Sequence, residues 1–303
     1  MSSDAPAPHG WRALPLLAAR TVRDSADDRI MGLGAEVAFF ILLSLPPALL
    51  TILGTLGYIS SLLGADVAIA TRDQVVGVAS TFLTETSVQE VVRPSVDRLL
   101  NEGRADVASI GIVLTLWAAS RATGRMIEAV SIAYDQADHR SIWRRRLMAL
   151  GLTVGAIVGL IVFIPVLVAG PRLLEFLAEP LGLAGFAAAT WRIVYWPVVG
   201  LVAIGLLASF YHLATPIRTR WRRELPGAGI AAVLWLLGGL ALRGYLAVAL
   251  SSTTYGPLAA PIALLLWLYV TALAVLVGAE VNAEIEKLWP SGAEQKGDED
   301  EEG

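Results

Sequence analysis

The chain has 303 residues, of which 55% are hydrophobic and only 17% charged, with a formal net charge of −4. Ordinary soluble domains carry about 25% charged residues, and surface-to-volume scaling leaves too much apolar side chain outside one soluble globule of this length, as the mean hydropathy of +0.63 also says. These figures exclude a soluble enzyme, a disordered protein and a free nucleic-acid binder; the mild charge implies no polyanionic partner, and the absence of cysteine excludes disulfides, thiol chemistry and thiolate metal sites.

Residues 1–33 lack the apolar core of a cleavable signal. Within them Trp11, Leu14, Leu17, Ala18 and Val22 recur at helical spacing with arginines between. Such a segment either lies in the headgroup plane or is a partly ordered tail. Then come uncharged apolar runs at Val37–Leu63, Leu147–Pro171, Ile193–Ile217, Leu225–Leu242 (resuming past Arg243) and Pro257–Ala279. Each matches the roughly 20 residues of helix that cross a bilayer core. Pro46 and Pro47 inside the first run predict a kinked or interrupted helix. Between the first and second spans, residues 64–106 are too long for a structureless loop. There Val88, Val92, Val96 and Leu99 share one face, and Ser87 with Glu90 forms a capping box. Two short amphipathic helices are expected outside the membrane. The tail, 287–303, is acidic and glycine-rich toward its end, the composition of a disordered segment.

A sixth span, 107–134, is interrupted by Arg121, Arg125 and Glu128. Charge topology favours it. With six spans, Arg12, Arg20, Arg23 and Arg29 fall on the same side as Arg140, Arg144, Arg145 and Arg146. Arg218, Arg220, Arg222, Arg223, Lys287 and Lys296 join them there. That side is cytoplasmic by the positive-inside rule, whereas five spans would scatter the arginine clusters over both faces. The expected fold is therefore all-α: a polytopic bundle of six transmembrane helices over 34–286, with both termini cytoplasmic. Gly151, Gly155 and Gly159 form a small-residue stripe, expected to serve bundle packing rather than a dimer interface. Gly227, Ala228, Ala231 and Ala232 open the fifth span in the same manner.

The intramembrane charges carry the functional question. Arg121, Arg125 and Glu128 stand at i, i+4 and i+7, within an arc of about 60° on one helix face, and Trp117 and Asp135 continue the stripe. Facing lipid, each charge would cost roughly 2.5–3.5 kcal/mol even on the lenient insertion scale, so the face is expected to point toward partners or water. Glu36 at the start of the first span, and Glu280, Asn282 and Glu284 at the end of the last, share the inner half of the membrane with Arg125 and Glu128. Arg243 stands alone in the outer half. Two readings compete. One is a buried ion-pair network, with Arg125–Glu128 and Arg121 with Glu36 or Glu280 as pairs. The other is a polar pathway or pocket.

Catalytic motifs are missing. There is no GxxxxGK[ST] loop, no HExxH and no GxSxG. His9, His139 and His212 have no metal-ligand spacing, and His212 at a helix end reads as a surface residue. The inventory predicts no enzyme, no cofactor and no metal.

Four stretches resemble the YihY/BrkB membrane-protein family. Ala35–Pro47, AEVAFFILLSLPP, is similar to its LAYYxLLSLFP first helix. LWAASR at Leu116–Arg121, with IEAVSIAY at Ile127–Tyr134, resembles its second. LPGA at Leu225–Ala228, with Tyr245 and Tyr255-Gly256, resembles its PGA…Y…YG section. LLWLYVTALAVLVGAEVN at Leu265–Asn282 resembles its last helix. The likeness runs from about residue 30 to 286. It departs at Glu36-Val37, in place of a small-aromatic pair, and at Ser131, in place of Asn. The resemblance implies a six-helix bacterial inner-membrane protein. An envelope or serum-resistance role goes with the BrkB name in some pathogens. A ribonuclease BN label also travels with the family, and no residue here supports a nuclease.

The sequence reading is thus a transporter of a lipid or other amphiphilic envelope component. Arg121, Arg125, Glu128, Glu36, Glu280, Asn282 and Arg243 are its candidate substrate-contacting residues. The arginines would meet an anionic headgroup, and Glu36, Glu128 or Glu280 would carry protons. Membrane lipids, an anionic amphiphile and a second copy in a homo-oligomer are the expected partners, with no nucleic acid. The alternative is a non-transporting scaffold for envelope assembly, which predicts a closed, charge-paired bundle.

Overall fold

A computed structural model describes residues 14–63, 73, 76–77, 88–94, 96–97, 105–135, 141–178, 184–215, 220–249 and 256–290. Among them every regular element is helical: α1 (Leu14–Asp27), α2 (Ile30–Leu63), a π-helical turn (Val88–Val92), α3 (Ala105–Ala133), α4 (Ile142–Ala178), α5 (Ala184–Ala214), a 3-10 turn (Trp221–Glu224), α6 (Leu225–Ala249) and α7 (Gly256–Leu288). The apolar runs of the sequence all fall on helices. Among the described residues, four stretches are long and apolar enough to cross a membrane: Ile30–Ile52, Val194–Ala214, Trp221–Leu246 and Pro261–Leu288. Their outward faces carry bare apolar side chains such as Leu49, Leu201, Leu236 and Leu240, a surface that suits lipid and not water.

Of the kinked or interrupted helix expected at Pro46-Pro47, the interruption does not occur: α2 runs through both prolines. Two backbone donors are lost there, and the turns on either side keep theirs. Of the expected external helices, the described part is the π-helical turn with its neighbours, where Val88 and Val96 are both buried as their shared face requires. Ser87 and Leu99 lie outside the described residues, as does most of the acidic tail.

The chain divides into two compact units. The first comprises Met1–Gly34, Thr123–Leu237 and Thr271–Gly303. Its core is built largely from small residues: Ala129, Ala208, Ala228 and Ala279 around Ile127, Tyr211 and Leu276. Small side chains let helix backbones approach closely, which is how apolar helices gain contact where lipid gives no hydrophobic drive. The approach is tightest between α6 and α7. A Cβ on Gly227 would overlap the Gly278 carbonyl, and one on Gly278 would meet the Gly227 carbonyl at 2.6 Å and the Tyr211 hydroxyl at 2.6 Å. By contrast, Gly151, Gly155 and Gly159 have nothing within 4 Å among the described residues, so the expected packing role of that stripe is not met there.

The second unit comprises Ala35–Ala122 and Gly238–Val270. Here Gly111 of α3 lies against Thr51 of α2, and the Thr51 and Thr115 hydroxyls are 3.0 Å apart. Gly238 of α6 lies against Val270 of α7.

Candidate functional site

The C-terminal end of α7 carries three of the buried polar residues of the first unit. Glu280, Asn282 and Glu284 are all buried there, at 0%, 3% and 1% exposure. A buried polar group is costly unless it is hydrogen-bonded, so each needs its partners named.

Asn282 has them. Its Oδ1 accepts from the Gly227 backbone N–H at 2.7 Å, in the first turn of α6. Its Nδ2 donates to the Glu224 carbonyl and to the Glu224 carboxylate, both at 3.1 Å. Helix starts leave their first N–H groups orphaned, and here a side chain of another helix satisfies one. The Gly227–Gly278 crossing lets it reach. Buried Glu224 also accepts the Tyr134 hydroxyl at 2.5 Å, and Tyr211 donates to the Val275 carbonyl at 2.6 Å. The node joins the end of α3, the start of α6 and the end of α7. Beside it Arg223 reaches Glu286 at 2.5 Å and the Trp289 carbonyl at 2.6 Å.

Lys287 forms a second node. Its ammonium lies 2.9 Å from Asp24 of α1, 2.7 Å from Asp135 after α3 and 2.7 Å from Glu284 one turn back on α7. Asp135 has a left-handed backbone, φ 52°, as residues closing a helix often do. The Lys287 hydrogen bond holds the Asp24 carboxyl below its usual range.

Glu280 is different. Neither of its oxygens completes a hydrogen bond. It faces the carboxyl of Asp28, in the turn between α1 and α2, and burial pushes the Asp28 carboxyl up.

The charged face of α3 is open instead. Arg125 and Glu128 pair at 3.0 Å with side chains 43% and 36% exposed. Arg121 is exposed, and its guanidinium lies 4.8 Å from the centre of the Trp117 ring. Arg243 on α6 is exposed, and Glu36 on α2 is half-buried. The structure thus brings Arg125 to Glu128 and sets Glu280 and Asn282 on one buried turn of α7. In the first unit, Arg125 with Glu128 stands on the exposed face of α3, not in that buried turn. His212, expected at the surface, is half-buried, and its Nδ1 completes no hydrogen bond.

Sequence reading passed over Glu224, Tyr134, Lys287, Asp24 and Asp28 as site residues. Glu224 was hidden by the arginines before it, and its one signal is its place directly ahead of the LPGA helix start.

The family model for virulence factor BrkB matches residues 21–302. The chain belongs to the BrkB family. Among BrkB-like relatives, the ribonuclease-like protein YfkH of Bacillus subtilis is 27% identical over 254 residues, covering 84% of this chain and 89% of that protein. A UPF0761 membrane protein of Tolumonas auensis is 25% identical over 296 residues, covering 91% of this chain and 89% of that one. No solved structure matches. This BrkB-family chain is a helical membrane protein.

Proposed function

We propose that this BrkB-family protein spans the bacterial inner membrane six times, with both termini cytoplasmic, and carries a lipid or other amphiphilic envelope component past the charged face of α3. It acts without a catalytic centre. The observation that carries this reading is the accessibility of that face. Arg121 and the Arg125–Glu128 pair stand in the interior of a long helix and are still exposed in the folded chain. Against lipid each charge would cost roughly 2.5–3.5 kcal/mol, so an accessible charged face calls for water or a polar headgroup. A sealed ion-pair network would have buried it. Arg121, held over Trp117, and Arg125 are the proposed contacts for an anionic headgroup, because guanidinium pairs bidentately with phosphate or carboxylate. Arg243 is proposed as a separate contact for an anionic headgroup in the outer half. Asn282, its amide spent on the start of α6, is proposed to position helices. A homo-oligomer would use the open Gly151–Gly155–Gly159 stripe.

Native mass spectrometry of the gently purified protein tests this against the Arg121→Ala/Arg125→Ala variant. An anionic lipid that co-purifies with wild type and is lost from a folded double variant supports lipid handling. Equal lipid retention by both rejects the headgroup contacts and favours the scaffold. The swap Arg125→Glu/Glu128→Arg separates the two readings again: a scaffold regains function with the pair reversed, whereas a carrier stays folded and loses activity.

A further inference from the structure

Asp28 and Glu280 face each other, and the Lys287 ammonium acts on both. Lys287 stands two turns along α7 from Glu280, and an ammonium has three donors. Asp24, Asp135 and Glu284 take them. Glu280 is 0% exposed and both its oxygens are unsatisfied. On the α1 face the buried Thr21 and Ser25 hydroxyls are also without partners. Facing carboxylates repel, and the buried carboxyl of Glu280 lacks a donor. A single proton cures both faults: it removes one charge and supplies an O–H for the facing carboxylate to accept.

We propose that Asp28 and Glu280 form a proton-binding site that latches α1 to α7, one proton being held between the two carboxyl groups while α1 is docked. The site goes beyond the transport reading and holds for carrier and scaffold alike. The groups that face the pair are Asp24 on α1, Asp135 after α3, and Lys287 on α7, with Glu284 adjoining through Lys287. All five carboxyl groups then share one ammonium or one proton, and no bare pair is left. The docked state binds one proton more than the released state, so docking weakens as pH rises. Its window opens above the ordinary carboxylate range and closes where the docked pair gives up its shared proton. Across it the ratio of released to docked α1 rises about tenfold per pH unit, as one-proton linkage requires.

The chain has no cysteine, so spin labels at Val22→Cys and Trp143→Cys, both exposed, report the position of α1 in the full-length protein in nanodiscs. The expected result is a single distance at mildly acidic pH that gives way to a broad distribution as pH rises. Glu280→Gln gives Asp28 a permanent N–H donor without a proton, so that variant stays docked across the same range, and Asp28→Asn does likewise. A pH-independent distance in wild type overturns the proposal, as does a Glu280→Gln protein that keeps the wild-type pH response. Docking that follows sodium or potassium concentration at fixed pH overturns it too, by making the ligand a metal cation. If neither variant folds, the wild-type series with its salt control still decides.

Discussion

Asn282 shows what a single buried amide does in a helical membrane protein. It donates twice to Glu224 and accepts from Gly227. Asn282→Ala leaves a buried N–H and part of a carboxylate unsatisfied, at about 1–3 kcal/mol for each such group, and a thermal melt in detergent should show the loss. Tyr134→Phe removes one donor to the same carboxylate and should cost less than Asn282→Ala in that melt, since Asn282 still donates there. Asp24 gives a pH prediction of opposite sign to the Asp28–Glu280 latch. Its folded carboxyl is held below the usual range, chiefly by the Lys287 hydrogen bond. Its contribution is therefore complete above the ordinary carboxylate range and is lost as pH falls through the lowered value. Asp24→Asn should abolish acid release of α1, read with the same Val22–Trp143 labels, and leave alkaline release intact. At this scale the Arg125–Glu128 pair was legible, because its partners are three residues apart on one helix. The Asn282–Glu224 pair was not: its members are 58 residues apart, and spacing along one helix says nothing about a contact with another.

Between elements, backbone proximity decides which small residues matter. Gly227 and Gly151 both sit in small-residue stripes, and local sequence does not distinguish them. At Gly227 and Gly278 an added methyl would meet backbone carbonyls, which cannot move as a side chain can. Gly278→Ala should cost about 1–3 kcal/mol as overpacking and loosen the Asn282 node with it. Gly151→Ala meets no described atom within 4 Å, and better helix propensity should make it neutral to stabilising by up to about 1 kcal/mol. Melting the two variants side by side checks the contrast. The paired prolines of α2 teach a related lesson. Their chemistry predicts a lost hydrogen bond at each position, and it does so correctly. Whether the helix then breaks depends on what holds its flanks, and α2 continues to Leu63.

For the whole molecule, the proposed six-span topology makes a direct prediction. In the cysteine-free chain, a membrane-impermeant maleimide applied to intact cells should label Ser252→Cys and leave Ser141→Cys and Ser291→Cys unlabelled until the cells are opened. Labelling of Ser141→Cys from outside would require a different number of spans. Length, apolar runs and arginine placement determined the helical membrane class, the position of the helices along the chain and the proposed sidedness. These follow from local properties, namely the span of an apolar helix and the cost of moving a guanidinium across lipid. Only the tertiary structure decided which charges are exposed and which are sealed. It left the α3 arginines open, gave Asn282 a partner on α6, filled Lys287 with three carboxylates and set Glu280 against Asp28. Burial and partnership depend on which helices meet and how closely, and that is settled by contacts between residues far apart in the chain.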